Sequence, residues 1–140
     1  MLLKLFLLPL FLHLVLILWV GSLTLSARIK AVRNGSAKMH EIAMDTGAWP
    51  RKVRLLGNNF DNQFQSPMLW YGVSAMIVAL QMVDTVFVGL SWMFLLTRVA
   101  HSYVHTGSNY IPSRMRIYLF GFATLVLMWA WLALQLFLFR

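Results

Sequence analysis

The sequence predicts an all-α integral membrane protein, a four-helix bundle forming one domain over residues 1–140. Three observations predict this. The chain is 60% hydrophobic and only 11% charged, with a mean hydropathy of +0.71, where soluble domains carry about 25% charged residues. Its apolar residues come in blocks long enough to cross a bilayer, which takes about 20 residues. Its charge is gathered beside those blocks and not spread over a surface. There is no cysteine, so a disulfide framework, a protein thiol nucleophile and a cysteine metal site are all excluded.

The first helix is expected over residues 2–26. Leu2 to Leu25 is apolar for longer than the h-region of a signal peptide, and no small-x-small cleavage pattern precedes Ala27, so the block reads as a retained span. Pro9 lies in its first turns, and His13 reads as a neutral histidine bonded to a neighbouring helix. Ala27 to Arg51 reads as a surface loop, with turns at Asn34-Gly35-Ser36 and Gly47-Ala48-Trp49-Pro50. The second helix is expected over 51–83, started by Pro50 and bent at Pro67, which deprives the Gln63 carbonyl of its usual partner. Met68 to Tyr103 as one helix would be about 54 Å long, against a hydrocarbon core of about 30 Å. A turn near Val83-Asp84-Thr85 therefore makes a hairpin, with Asp84 emerging on the far side and a third helix over 85–105. After the turn Thr106–Pro112, a fourth helix is expected over 113–139, with Arg140 anchoring its outer end.

The charge sets the topology. Arg28, Lys30, Arg33, Lys38, Arg51, Lys52, Arg54, Arg98, Arg114 and Arg116, with Glu41, Asp45 and Asp61, put +7 of the chain's +8 on one side. By the positive-inside rule that side is cytoplasmic, so both termini lie outside, as in a bacterial inner membrane. The loop cations either meet anionic headgroups or, for Arg28 and Arg33, line a pocket at the inner end of the first helix. Nucleic acid is excluded as a partner, because the basic residues flank spans and form no soluble module.

Three polar clusters are expected at one depth. On the second helix Arg54, Asn58, Asp61, Asn62 and Gln65 share a face at i, i+4, i+7, i+8 and i+11; Arg98, His101 and His105 do so on the third; Arg114 and Tyr118 do so on the fourth. Lipid cannot satisfy such groups, so they face other helices, water or a ligand. Taken alone, they fit equally well as topology anchors with interhelical amides and as an anion site. Their excess of guanidinium suits an anionic ligand and would favour a bound thiolate. A metal is not expected, since His101 and His105 lack carboxylates or cysteines to complete a sphere.

Asn62-Gln-Phe-Gln65-Ser-Pro67 with Met-Leu-Trp-Tyr71, and Arg98-Val-Ala-His101-Ser-Tyr-Val-His105 with Asn109 and Pro112-Ser-Arg114, resemble the MAPEG family, the membrane-associated proteins of eicosanoid and glutathione metabolism, in its bacterial form. The resemblance covers most of the chain from Arg51 on. It implies a homotrimer that binds glutathione as co-substrate between subunits near the cytoplasmic face. It implies transferase or peroxidase chemistry on a lipophilic small molecule from the bilayer. Arg114 matches the thiolate-stabilising catalytic arginine, and Arg98, Asn62 and Tyr118 match glutathione contacts. Gln65 stands where the family usually has glutamate, His105 where a tyrosine often stands, and Asn58 and Asp61 where the eicosanoid enzymes carry arginines. Those departures leave a non-catalytic scaffold, regulatory or lipid-binding subunit as the alternative.

Overall fold

In the computed structural model, which describes residues 1–139, the elements are α1 (Leu2–Arg33), α2 (Met39–Met44), a 3-10 turn at Thr46–Ala48, α3 (Arg51–Asn62), α4 (Ser66–Ala79), α5 (Thr85–Thr106) and α6 (Ile111–Phe137). Arg140, the expected outer anchor, lies outside the described residues. The described residues contain helices and no strand. Two helices, α1 and α6, are long and apolar enough to cross a membrane. Their outward faces carry large exposed apolar side chains such as Phe11, Leu18, Phe120 and Leu127, which suits them to lipid.

α1 does not stop near residue 26. It continues to Arg33, because Ala27, Arg28, Lys30 and Ala31 are strong helix formers and the last-turn cations Lys30 and Arg33 favour its C-terminal dipole. The chain leaves the helix at Asn34 and Gly35, the latter at φ +74. At about 48 Å, α1 carries Arg28 to Arg33 beyond the hydrocarbon. Pro9 has no N–H to give Leu5, and the indole Nε1 of Trp92 donates to the Leu5 carbonyl at 3.1 Å instead. Ser91 Oγ donates to the Phe6 carbonyl at 3.3 Å. The proline thus creates the acceptor by which α5 grips α1.

Pro67 acts more strongly than the expected bend. The span predicted over 51–83 is two helices, α3 and α4, interrupted at residues 63–65. Pro67 falls in the first turn of α4, where a missing N–H costs nothing. Within one continuous helix its ring would meet the Gln63 carbonyl. α4 alone is about 21 Å long, short of the hydrocarbon thickness. At its far end Gln81 takes φ 56, and Asp84 starts α5.

Phe6, Trp70, Val73, Ile77, Phe87, Phe94, Leu125 and Met128 form one buried cluster to which α1, α4, α5 and α6 all contribute. Small residues set the crossings. A Cβ on Gly121 of α6 would lie 2.5 Å from Thr97 Oγ1 on α5, and one on Gly21 of α1 would lie 3.0 Å from the Phe60 ring on α3. These are close approaches of the kind that hold helices together in lipid.

Asp84 caps α5 and pins α6 with one carboxylate. Its Oδ1 accepts from Phe87 N at 2.8 Å, and its Oδ2 accepts from Trp131 Nε1 at 2.9 Å and Gln135 Nε2 at 2.6 Å. Asparagine caps helices as well as aspartate does, so Asp84→Asn isolates the pin. It is expected to cost about 2 kcal/mol, read as a lowered midpoint of unfolding in detergent. Gly121→Ala, which forces α5 and α6 apart, is expected to cost about 1–3 kcal/mol in the same measurement.

Candidate functional site

The polar run 58–67 has two faces, and the chain buries the less conspicuous one. Asn59, Gln63 and Ser66 lie at i, i+4 and i+7, and all three are buried. Gln63 Nε2 donates to the Asn59 carbonyl and to Asn59 Oδ1, both at 3.1 Å. That turns Gln63 Oε1 toward His13 Nε2, 3.2 Å away. The network therefore places the His13 proton on Nε2 and leaves Nδ1 to accept from the Tyr71 hydroxyl at 2.9 Å. Asn59 Nδ2 donates to Ser102 Oγ at 2.7 Å. Five side chains from α1, α3, α4 and α5 thus make a continuous polar chain through the interior. The expected bond of His13 to a neighbouring helix is present, but Asn59, Gln63, Ser66, Tyr71 and Ser102 were not among the expected site residues. The available signal was a second face at helical spacing within the same amide-rich run.

Arg98 closes the α3–α4 interruption from α5. Its guanidinium, on a residue only 2% exposed, donates through Nη2 to the Asn62 carbonyl at 3.0 Å and through Nη1 to Ser66 Oγ at 3.5 Å. Asn62 ends α3, and its carbonyl is one of the orphans that every helix C-terminus leaves. A cation is well placed there. The side chain of Asn62 reaches His105 Nδ1 at 3.5 Å. His101 lies between His105 and Tyr118, with ring centroids 5.7 and 6.1 Å away. Arg114, half-buried, donates from Nη1 to Asn109 Oδ1 at 2.8 Å.

The structure thus brings Asn62, Arg98, His101, His105 and Tyr118 together, and ties Arg114 to the turn before α6. It sets Arg54, Asn58, Asp61 and Gln65 on exposed positions of the single chain, away from the buried face. Gln65 is not on a continuous stripe with the others, since it stands in the interruption as the residue preceding α4. Arg98 Nε, both ring nitrogens of His101 and Nε2 of His105 are buried without a hydrogen-bond partner among the described residues. Polar atoms in that condition are uncommon in a settled interior. Among the described residues no group of three or more His, Cys, Asp or Glu side chains converges as a metal site.

A family model described as the MAPEG family matches residues 6–134. The chain belongs to the MAPEG family. With its two long apolar helices, this makes it an integral membrane protein. Members of the family generally use glutathione. The match starts within α1 and ends within α6, so it takes in the first helix and its loop as well as the motifs around Asn62 and Arg98. No curated protein and no solved structure matches this MAPEG chain.

The buried polar chain makes a prediction of its own. Gln63→Leu keeps most of the side-chain volume but leaves His13 Nε2 and Asn59 Oδ1 unpaired. Each such buried group costs about 1–3 kcal/mol, so the variant is expected to unfold at distinctly lower denaturant than the parent. Unchanged stability would show that the chain is not a structural tie.

Proposed function

We propose that this MAPEG protein is a glutathione-dependent transferase or peroxidase acting on lipophilic electrophiles, assembled as a homotrimer of four-helix subunits in a bacterial inner membrane with both termini outside the cytoplasm. The observation that carries the reading is the set of buried donors without partners on α5: Arg98 Nε, the His101 ring and His105 Nε2. A tripeptide with two carboxylates offers acceptors to such a set. The exposed polar groups of α3 and of the interruption after it support the same reading. Arg54, Asn58, Asp61 and Gln65 are exposed on the single chain, as groups are that serve a site completed by a neighbouring copy. The chain holds no cysteine, so the thiol comes from the co-substrate.

In this reading Arg98, Asn62, His101, His105 and Tyr118 bind and orient the peptide, with Arg54 and Asn58 facing its carboxylates and Asp61 or Gln65 its ammonium. Arg114, held by Asn109, stabilises the thiolate, since a neighbouring guanidinium lowers a thiol pKa. Bound glutathione supplies the nucleophilic sulfur. The apolar groove of about 420 Å³ between α1 and the α3–α4 pair, walled by Leu10, Phe11, Leu14, Phe64 and Met68, gives a bilayer-derived molecule a surface to lie along.

A second reading is a non-catalytic scaffold, regulatory or lipid-binding subunit. It is favoured by the two donors that Arg98 already spends on Asn62 and Ser66 and by the neutral amide of Gln65, whose hydrogen bond to an ammonium is roughly half as strong as that of a carboxylate.

Glutathione titrated into the purified protein by calorimetry, with ultraviolet thiolate absorbance followed in parallel, decides between them. Binding below millimolar concentration with a thiolate signal is expected. Arg114→Ala should remove that signal and weaken binding about tenfold or more. No heat at millimolar glutathione, together with a stoichiometric partner recovered from native membranes, would favour the scaffold.

A further inference from the structure

We propose that the inner end of α1 carries a site for one anionic phospholipid, with the phosphodiester on Arg28 and Arg33 and the start of an acyl chain in the groove between them. The groove holds about 350 Å³ and is lined by Arg28, Ile29, Val32, Arg33, Met39 and Trp49. Its walls are apolar, and the two cations among its lining residues are Arg28 and Arg33. That pairing of surfaces fits an amphipathic anion and fits neither a bare ion nor an apolar molecule.

Depth supports the occupant. Leu2 to Leu25 fills the hydrocarbon, so the turns from Arg28 to Arg33 stand at headgroup level. Arg28 is also held rather than loose. The Arg28 guanidinium lies 5.5 Å from the centre of the Trp49 ring. Its Nη2 comes within 3.3 Å of where a Cβ on Gly57 would be, an approach made easy by the missing side chain. Trp49 in turn packs against the small buried cluster of Ala31, Ala37 and Val53. Stacking of this kind fixes the plane of a guanidinium and leaves its edge donors for a phosphate. Among the described residues the ion pairs are Lys38–Glu41 and His40–Glu41, so neither Arg28 nor Arg33 meets a carboxylate. A pair of guanidiniums without counter-charge at the depth of the phosphates is matched by a phosphate.

The groove shares no lining residue with the cluster around Arg98, and its test does not depend on glutathione. The purified protein in mild detergent is exposed to phosphatidylglycerol or to phosphatidylcholine with identical acyl chains, and bound lipid is counted by native mass spectrometry. Retention of one phosphatidylglycerol per chain in preference to phosphatidylcholine is expected. Each arginine near a headgroup contributes about fivefold in affinity, so Arg28→Gln with Arg33→Gln should weaken retention about 25-fold. Arg51→Gln with Lys52→Gln removes the same charge from exposed positions off the groove and should weaken retention clearly less. Equal loss in the two double variants would reduce the effect to general surface charge and overturn the site. Equal retention of both lipids, or full displacement by low-millimolar inorganic phosphate, would overturn it too. Should the Arg28 variant fail to fold, Arg33→Gln alone, at an exposed position, carries the same comparison with an expected fivefold loss.

Discussion

A break in a helix leaves backbone groups that hydrocarbon cannot solvate, and the rest of this protein is arranged around satisfying one such break. Between Asn62 and Ser66 the chain has no regular helix. Arg98 takes the Asn62 carbonyl, and Gln63 turns back onto Asn59. His13 and Tyr71 hold the other side of Gln63. An unmet backbone carbonyl or amide in lipid costs several kcal/mol, so α1, α4 and α5 are committed to their positions by this one junction. The buried guanidinium is best understood in these terms: it ends one helix and begins the next.

The two prolines that matter, Pro9 and Pro67, act by the same rule to different ends. Pro9 leaves α1 whole and releases a single carbonyl, which Trp92 takes. Pro67 parts the chain into two helices. What separates them is the surroundings. Pro9 sits among apolar residues with a donor facing it from α5, whereas Pro67 follows a run that includes Asn62 and Ser66, residues whose side chains bond readily to backbone and favour non-helical conformations.

Hydropathy and turn chemistry made the long helices, the hairpin at Asp84 and the turn before α6 legible from the sequence, because lipid enforces those features residue by residue. Facing was less legible. Arg54, Asn58, Asp61, Asn62 and Gln65 make a fuller polar stripe than Asn59, Gln63 and Ser66, yet the shorter stripe is the buried one. Periodicity names a face without saying what covers it, and the cover here comes from His13 and Ser102, distant in sequence by 50 and 43 residues. Likewise the charge of Asp84 suggested a group leaving the membrane. Its three donors, one from α5 and two from α6, could not be read from its neighbours. The extent of α1 was missed for another reason: basic residues mark a membrane surface, but they are also good helix formers.

The Asp84 pin bears on how the protein is made. Its partners Trp131 and Gln135 follow it by 47 and 51 residues, in α6. While the ribosome is still extending α5, that carboxylate has only its own helix start to bond, and the turn it governs stays provisional. The closing stitch arrives only with the second half of α6, so until that helix is made an anion stands at the mouth of an unfinished hairpin.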